Sequence, residues 1–314
     1  MNNRILRAMF MGSVLSALLL GLFPVTVPSP AHFVLPLADM QIAPPAEEIT
    51  LPYRLSASGV LVLDLETGQT LYALQGDIER PMASLTKLMT ALMIVENHDL
   101  REWVTIPQGT ESVKGSIAYL PVGEQFTVGD LLTALLVASA NDAAAVLAQY
   151  HSGTMGNFVE AMNARAPALG LNGTHYANPS GMDDPRQWST PRDMAVLSSF
   201  VLQKAALRDR MGIRGTTIRS RSGQEIRLTH THALVQSEPD IIPAGKTGTT
   251  GAAGQCLVSL VEKDHHEYLV VLLHSAQRYT DMQTILASLL GIEGMDTPVE
   301  DTECLQGGGC PATP

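Results

Sequence analysis

The chain has 314 residues, of which 45% are hydrophobic, 16% charged and 5% aromatic, and its formal net charge is -11. That length suits one large domain or two small ones, and the apolar content is too high for a disordered polymer. The acidic balance speaks against a nucleic-acid partner and against a polybasic membrane patch.

At the amino end, Arg4 and Arg7 precede an apolar run from Ala8 to Phe23, and Ser29-Pro30-Ala31 follows with small residues. This is the order of a secretory signal peptide over residues 1–31. Extended to Val27, the run approaches the ~20 residues that span a bilayer, although Pro24 interrupts it. An uncleaved signal anchor, with N-terminal membrane attachment, is therefore the alternative. Either way the bulk of the chain is exported, to the periplasm or the outer face of the cytoplasmic membrane. A proline-rich stretch follows, so residues 32–54 read as a linker. The folded domain is expected over 55–292, with 293–314 as a flexible tail.

Within the domain, SGVLVLDLETGQTLYAL gives two apolar runs around Glu66-Thr67-Gly68-Gln69, a hairpin signal. Residues 82–97, MASLTKLMTALMIVEN, have the length and apolar content of a buried helix. Loop and extended segments run to Phe126. The stretch VGDLLTALLVA then forms a helix that reaches Ser139-Ala140-Asn141-Asp142. DAAAVLAQY and FVEAMNARAPALG continue as helices, the second ended by Gly170. At Thr190-Pro191-Arg192-Asp193 another helix starts, with Thr190 as N-cap and Asp193 where a capping-box acid sits. QCLVSLVEKDHHEYLVVLLHSA gives two strands around a polar turn, and DMQTILASLLG closes as a helix. Strands at both ends with helices between them predict an α+β fold: an antiparallel β-sheet covered by helices, with an all-helical insert.

Lys87 is the anomaly in the first helix, because it stands three residues after Ser84. Residues i and i+3 share a helix face. The start of a helix carries partial positive charge, which favours an oxyanion at Ser84. The same charge, together with burial, disfavours a protonated Lys87 and should lower its pKa. A lysine that has lost its proton can serve as general base for the serine. Two further stretches raise the odds of chemistry. Ser139-Ala140-Asn141 falls at a joint between helices, where a hydroxyl and a carboxamide can face a cleft. Lys246-Thr247-Gly248-Thr249 precedes the Cys256 strand, where the glycine lets a substrate backbone approach. Singly, each has a bland reading as cap, turn or loop. Cys256 itself reads as a buried core thiol. Cys304 and Cys310 flank a Gly-rich tail and could close a small loop. No CxxC or His/Cys cluster suggests a metal, and no cofactor is called for.

The three motifs, SLTK, SAN and KTG, match the S-x-x-K, S-D-N and K-T-G set of penicillin-binding proteins and class A β-lactamases. With ASLTKLMTALMIVE, Gly115-Ser116, NPSGMDDPRQWSTPRDMA and AGKTGTTGAAGQCL, the chain resembles the low-molecular-mass D-alanyl-D-alanine peptidases from about Ser58 to about Leu290. That resemblance implies a serine DD-peptidase acting on peptidoglycan stem peptides and acylated by β-lactam antibiotics. It implies Ser84 as nucleophile, Lys87 as its base and Ser139 as a proton relay. Asn141 would bind the substrate amide, and Lys246 with Thr247 the terminal carboxylate. The N–H groups of Ser84 and Thr249 would form the oxyanion hole.

The sequence also departs from the family. Ala140 stands where many relatives have Gly, and His230-Thr231-His232 where many have Asn-x-Asn. Two histidines at i and i+2 would share a strand face and are read as structural rather than as a metal pair. Too few residues follow Gly248 for the second, β-rich domain of some relatives. A carboxypeptidase removing the terminal D-Ala is the main reading, and an endopeptidase cutting D-Ala cross-links is the alternative. The deacylating ExxLN element of class A β-lactamases is missing; Glu160 is followed by AMN within a helix. A non-catalytic penicillin-binding scaffold is the remote alternative, disfavoured because every motif side chain is intact.

Overall fold

The computed structural model describes residues 49–291; the signal segment, residues 32–48 of the linker, and the tail with Cys304 and Cys310 lie outside the described residues. The chain opens with β1 (Gly59–Asp64), β2 (Thr70–Leu74), a 3-10 turn (Ala83–Thr86) and α1 (Lys87–Asn97). Then come β3 (Trp103–Thr105), β4 (Gln125–Thr127), α2 (Val128–Val137), α3 (Asn141–Ser152) and α4 (Met155–Ala168). Next are α5 (Pro191–Leu202), α6 (Ala205–Met211), β5 (Gly215–Arg219), β6 (Glu225–Thr229) and α7 (Ala233–Ser237). The chain closes with β7 (Ala244–Thr250), β8 (Gly254–Lys263), β9 (His266–Ser275) and α8 (Arg278–Leu290).

Five strands form one antiparallel sheet in the order β2-β1-β9-β8-β7. The two ends of the chain thus build a single sheet, as the sequence pattern predicts. All six residues of β1 are buried because both sheet faces are covered. Alternate side chains divide between the layers. Leu61 and Leu63 join the large core under α1, α2, α3 and α5, while Val60 and Val62 pack towards α8 through Met282 and Ile285. The helical insert lies between β2 and β7 in sequence, so β7 is left as an edge strand facing it. Among the described residues, no helix is long and apolar enough to cross a membrane.

Several local expectations are corrected. Ser84 lies in the 3-10 turn, and the α-helix begins only at Lys87. Thr190 does cap α5 by accepting from the Asp193 N–H, but Asp193 does not return the bond. Its carboxylate instead accepts from Gly173 N–H at 2.8 Å and Thr174 Oγ1 at 2.7 Å, tying α5 to the preceding loop. A reciprocal capping box is present at Thr127 and Asp130, at the start of α2. His230 and His232 lie on the link between β6 and α7, not on a strand. The packed body also begins before Leu55: Ile49 N–H donates to Leu71 C=O at 3.1 Å, and Ile49 and Leu51 rest on the second core. The last six residues assigned to the linker therefore belong to the body.

The junction of the two chain ends is polar and buried. Asp281 is 3% exposed and accepts from Ser56 N–H (2.7 Å), Ser56 Oγ (2.8 Å), Ala57 N–H (2.8 Å) and Ser275 Oγ (2.6 Å). Removing the carboxylate strands these donors. Asp281→Ala is therefore expected to lower the unfolding free energy by about 3 kcal/mol, read by urea denaturation. Ser56→Ala should cost about 1 kcal/mol. An unchanged midpoint for Asp281→Ala would show that this clamp does not hold the ends.

Candidate active site

The three motifs, separated widely in sequence, converge. In a 3-10 turn, side chains at i and i+3 eclipse one another, closer than on an α-helix. This is why Lys87 Nζ reaches Ser84 Oγ at 2.9 Å. The same Nζ donates to Asn141 Oδ1 at 2.7 Å and to Ser180 C=O at 2.6 Å. Lys87 is completely buried, whereas Ser84 keeps partial access to solvent. Burial favours the neutral amine and the three acceptors favour the ammonium, so the two influences oppose one another.

A second buried amine belongs to Lys246 on β7. Its Nζ donates to Ser139 Oγ at 2.7 Å and to Thr247 C=O at 2.9 Å. Ser139 follows the end of α2 with φ +55°, a left-handed conformation that costs a residue other than glycine of order 1 kcal/mol or more. That turn directs Ser139 to Lys246 and leaves Asn141, at the start of α3, to Lys87. Asn141 Nδ2 donates to Lys114 C=O at 2.8 Å and lies 3.5 Å from Met182 Sδ. Gly115 makes this possible: at φ +88°, a Cβ there would lie 2.5 Å from Asn141 Nδ2.

Gly248 has a different role from the one read in the sequence. A Cβ there would meet Ser84 N at 2.7 Å and Ala83 Cβ at 2.9 Å. The glycine therefore admits the chain's own Ser84 turn against β7, a fit that the sequence reading did not foresee. Gly181 does the same from the opposite side, with φ +90° and a Cβ position 2.0 Å from Ala83 O. Ala83 itself has φ +48°. The turn carrying Ser84 is held between two glycines that only backbone can approach so closely.

Sequence reasoning missed part of the frame. Asn178 Oδ1 accepts from the N–H groups of Ser180 (3.2 Å), Gly181 (2.7 Å) and Met182 (3.1 Å). This folds the NPSGM stretch so that the Ser180 carbonyl meets Lys87. Thr231 Oγ1 accepts from Thr247 Oγ1 at 2.6 Å. Arg278, fully buried at the start of α8, donates through Nη1 to the carbonyls of Gly248 (3.2 Å) and Cys256 (3.1 Å). A polar Asx turn and a lone arginine thirty residues past KTG have no periodic signature. Beside the Ser84 turn opens a cleft of about 490 Å³, lined among others by Arg80, Met82, Gly181, Met182, Asp183 and Trp188. Among the described residues, no group of three or more His, Cys, Asp or Glu could hold a metal.

The arrangement supplies a hydroxyl on a buried amine, a second hydroxyl on a second amine, and N–H groups at an edge strand. That is the equipment of acyl transfer at a serine. Comparison with known proteins agrees. The family model described as D-alanyl-D-alanine carboxypeptidase matches residues 46–277. A D-alanyl-D-alanine endopeptidase of Pseudomonas aeruginosa is 33% identical over 240 residues, covering 76% of this chain and 77% of that protein. The D-alanyl-D-alanine carboxypeptidase DacF of Bacillus subtilis is 30% identical over 220 residues, covering 68% of this chain. The chain spans only 56% of DacF's length. Among solved structures, a D-alanyl-D-alanine carboxypeptidase from Mycobacterium tuberculosis has a TM-score of 0.73 at 25% identity, covering 81% of this chain and 97% of that one.

His232 supports the strand that carries Lys246. Its ring fills the space beside Gly245, where a Cβ would be 2.5 Å from the ring. Nδ1 accepts from Val235 N–H at 3.4 Å, so Nε2 carries the proton and donates to Ser259 Oγ at 2.8 Å. Burial first, then the nearby positive charge of His230, Arg278 and Lys246, holds its pKa well below the ordinary histidine value. Unfolding frees the ring to take a proton near pH 6.5, which the folded state refuses. This part of the stability is present above that pH and is lost as pH falls below it, by at most about 1.4 kcal/mol per unit. His232→Gln, which keeps a donor toward Ser259, should flatten the fall in Tm between pH 7 and pH 5. An identical slope in both proteins would refute the assignment.

Proposed function

Because the chain belongs to the D-alanyl-D-alanine carboxypeptidase family, we propose that it is an exported serine peptidase that removes the terminal D-Ala of peptidoglycan stem peptides. The observation that carries this reading is the 2.9 Å contact between Ser84 Oγ and a buried, fixed Lys87 Nζ. Ser84 Oγ attacks the carbonyl carbon of the penultimate D-Ala while its proton passes to neutral Lys87 Nζ. The N–H groups of Ser84 and Thr249 receive the developing oxyanion. Collapse breaks the C–N bond, and the proton that Lys87 took passes through the Ser139 hydroxyl to the leaving amine, which returns Lys87 to the neutral amine. Water then attacks the acyl-serine ester and gives a proton to Lys87; the ester C–O bond breaks, Lys87 returns that proton to Ser84 Oγ, and the shortened peptide leaves as its carboxylic acid.

In this proposal Lys246, with Thr247, meets the terminal carboxylate of the substrate. Asn141 binds the amide of the acyl donor through the Nδ2 hydrogen that faces Met182. β-Lactam antibiotics, which present a strained amide and a carboxylate, acylate the same serine. The order of charges and apolar residues in 1–31 supports export, with the substrate outside the cytoplasmic membrane.

The second reading, an endopeptidase cutting D-Ala cross-links, is supported by the likeness to the Pseudomonas endopeptidase, which is 33% identical over 76% of this chain.

Two experiments test these readings. Purified protein is incubated with pentapeptide monomers and with cross-linked dimers, and the products are read by mass spectrometry against Ser84→Ala. Loss of one D-Ala from monomers is the expected result; conversion of dimers to monomers would move the assignment to the endopeptidase. Absence of both products, with Ser84 still labelled by penicillin, would leave a binding protein. In the second experiment, Gly248→Val is expected to slow penicillin acylation by about 100-fold or more, because its side chain displaces the Ser84 N–H and the oxyanion site with it. Labelling at the unaltered rate would overturn that role for Gly248.

A further inference from the structure

The loop before the SAN motif holds an aromatic side chain in an unusual way. Tyr119 is 81% exposed, although its neighbours Ala118 and Leu120 are buried at 6% and 4%. Its backbone has φ +59°, the left-handed region. The same loop reaches positive φ at Gly115 and Gly123, at +88° and +85°. Those two positions of the loop carry glycine, which takes such angles without strain. At position 119 the chain places a large ring instead, at a cost of order 1 kcal/mol or more.

The strain is held by Asp142, itself buried beside the candidate active site. Its carboxylate accepts from Ala118 N–H (3.0 and 3.1 Å) and from Leu120 N–H (3.1 Å), fixing the backbone on both sides of Tyr119. The loop is also laced to the motif itself. Asn141 N–H donates to Ser116 C=O at 2.7 Å, and Ser116 Oγ donates to Ala138 C=O at 2.9 Å. Tyr119 therefore stands on a rigid mount one residue removed from groups that bond Asp142, which adjoins Asn141. Neither packing nor turn geometry calls for the ring. A strained, exposed aromatic that the surroundings over-determine points to binding.

We propose that Tyr119 is a stacking platform for the amino-sugar strand from which the stem peptide hangs, an inference that rests on the peptidase reading of the neighbouring site. A pyranose ring presents a broad C–H face that lies flat against an aromatic ring, while the phenol hydroxyl remains in water. Lys114 and Ser116, on the same loop, are exposed and carry groups able to bond sugar hydroxyls and acetamido groups. One exposed ring is small beside the apolar patch that a protein partner needs. A polymer held by the loop that bonds Asn141 and Asp142 contributes binding energy remote from the reacting bond.

The test begins with glycan oligomers stripped of their peptides, so that it does not depend on peptidase activity. Binding to the full chain and to Tyr119→Gly is followed by NMR. Glycine accepts φ +59° without strain, so the variant should fold with a Tm equal to or above that of the parent. We expect the glycan to bind the parent and Tyr119→Trp, and to bind Tyr119→Gly about three- to tenfold more weakly. With disaccharide-pentapeptide, KM should rise by about the same factor more than with the sugar-less pentapeptide, at nearly constant kcat. Equal glycan affinity in parent and Tyr119→Gly overturns the proposal whether or not the protein turns over peptide. So does an equal KM change for both substrates, which would assign Tyr119 to the peptide instead. Failure of peptide turnover with glycan binding intact would overturn the peptidase reading and leave the platform standing.

Discussion

A buried amine needs hydrogen-bond acceptors, and the site is assembled around that need at Lys87. Water cannot reach Nζ, so its hydrogen bonds must be made to protein oxygens. Those oxygens come from Ser84 in its own turn, Asn141 at the start of α3 and Ser180 in the loop after α4. Three segments that sequence places far apart are fixed to one nitrogen. Burying the polar group costs stability unless every partner is in place, and that requirement sets the geometry. Each acceptor is itself tied down: Asn141 by the Lys114 carbonyl and Ser180 by the Asn178 turn. Ser84, Lys87 and Asn141 are consequently set before any ligand arrives, which is the condition for proximity and preorganisation to act.

The edge strand completes the arrangement from the other side. β7 pairs with β8 through its whole length, Ala244 with Leu260 to Thr250 with Gly254, so its position is dictated by the sheet. The helical insert approaches its unpaired edge, and the absence of a side chain at Gly248 lets the Ser84 turn close on it. Arg278 holds the Gly248 carbonyl from behind, and Thr231 and His232 brace Thr247 and Gly245. Each lysine thus holds a serine hydroxyl: Lys87 bonds Ser84 Oγ and Lys246 bonds Ser139 Oγ.

Much of this was legible in the sequence, for identifiable reasons. The continuous apolar runs of β1, β8 and β9 report burial on both sheet faces, and the apolar length of α1 and α2 reports burial of those helices. The motif residues Ser84, Lys87, Ser139, Asn141 and Lys246 were legible because their polarity contradicts their apolar surroundings. What was not legible is what depends on tertiary approach. The 3-10 geometry at Ser84 is set by Gly181 and Gly248 pressing on either side, and propensity alone reads the segment as α-helix. Asp193 was expected to cap its own helix, but Gly173 and Thr174 compete for the same carboxylate and win. Arg278 carries no local signal, because its partners are the carbonyls of two other strands. His230 and His232 were placed on one face by a strand period that does not apply on a connecting segment.

The charge of the molecule and the charge of the site have opposite signs, and their ranges decide which matters. A formal net charge of -11 would repel a carboxylate ligand at a distance. At physiological ionic strength that repulsion is screened over roughly 8 Å, so it fades before contact. A unit charge pair at about 4 Å, near a protein surface, is worth roughly 4 kcal/mol. Lys246 lies fully buried behind Thr247, and Arg278 is buried on the same strand's far side. Their fields are shielded by protein rather than by salt. On the role proposed for Lys246, an anionic end group is attracted within the last few ångströms, while the acidic surface elsewhere affects only the encounter. Acylation of Ser84 by carboxylate-bearing amides should then depend weakly on added salt compared with a site built from exposed lysines.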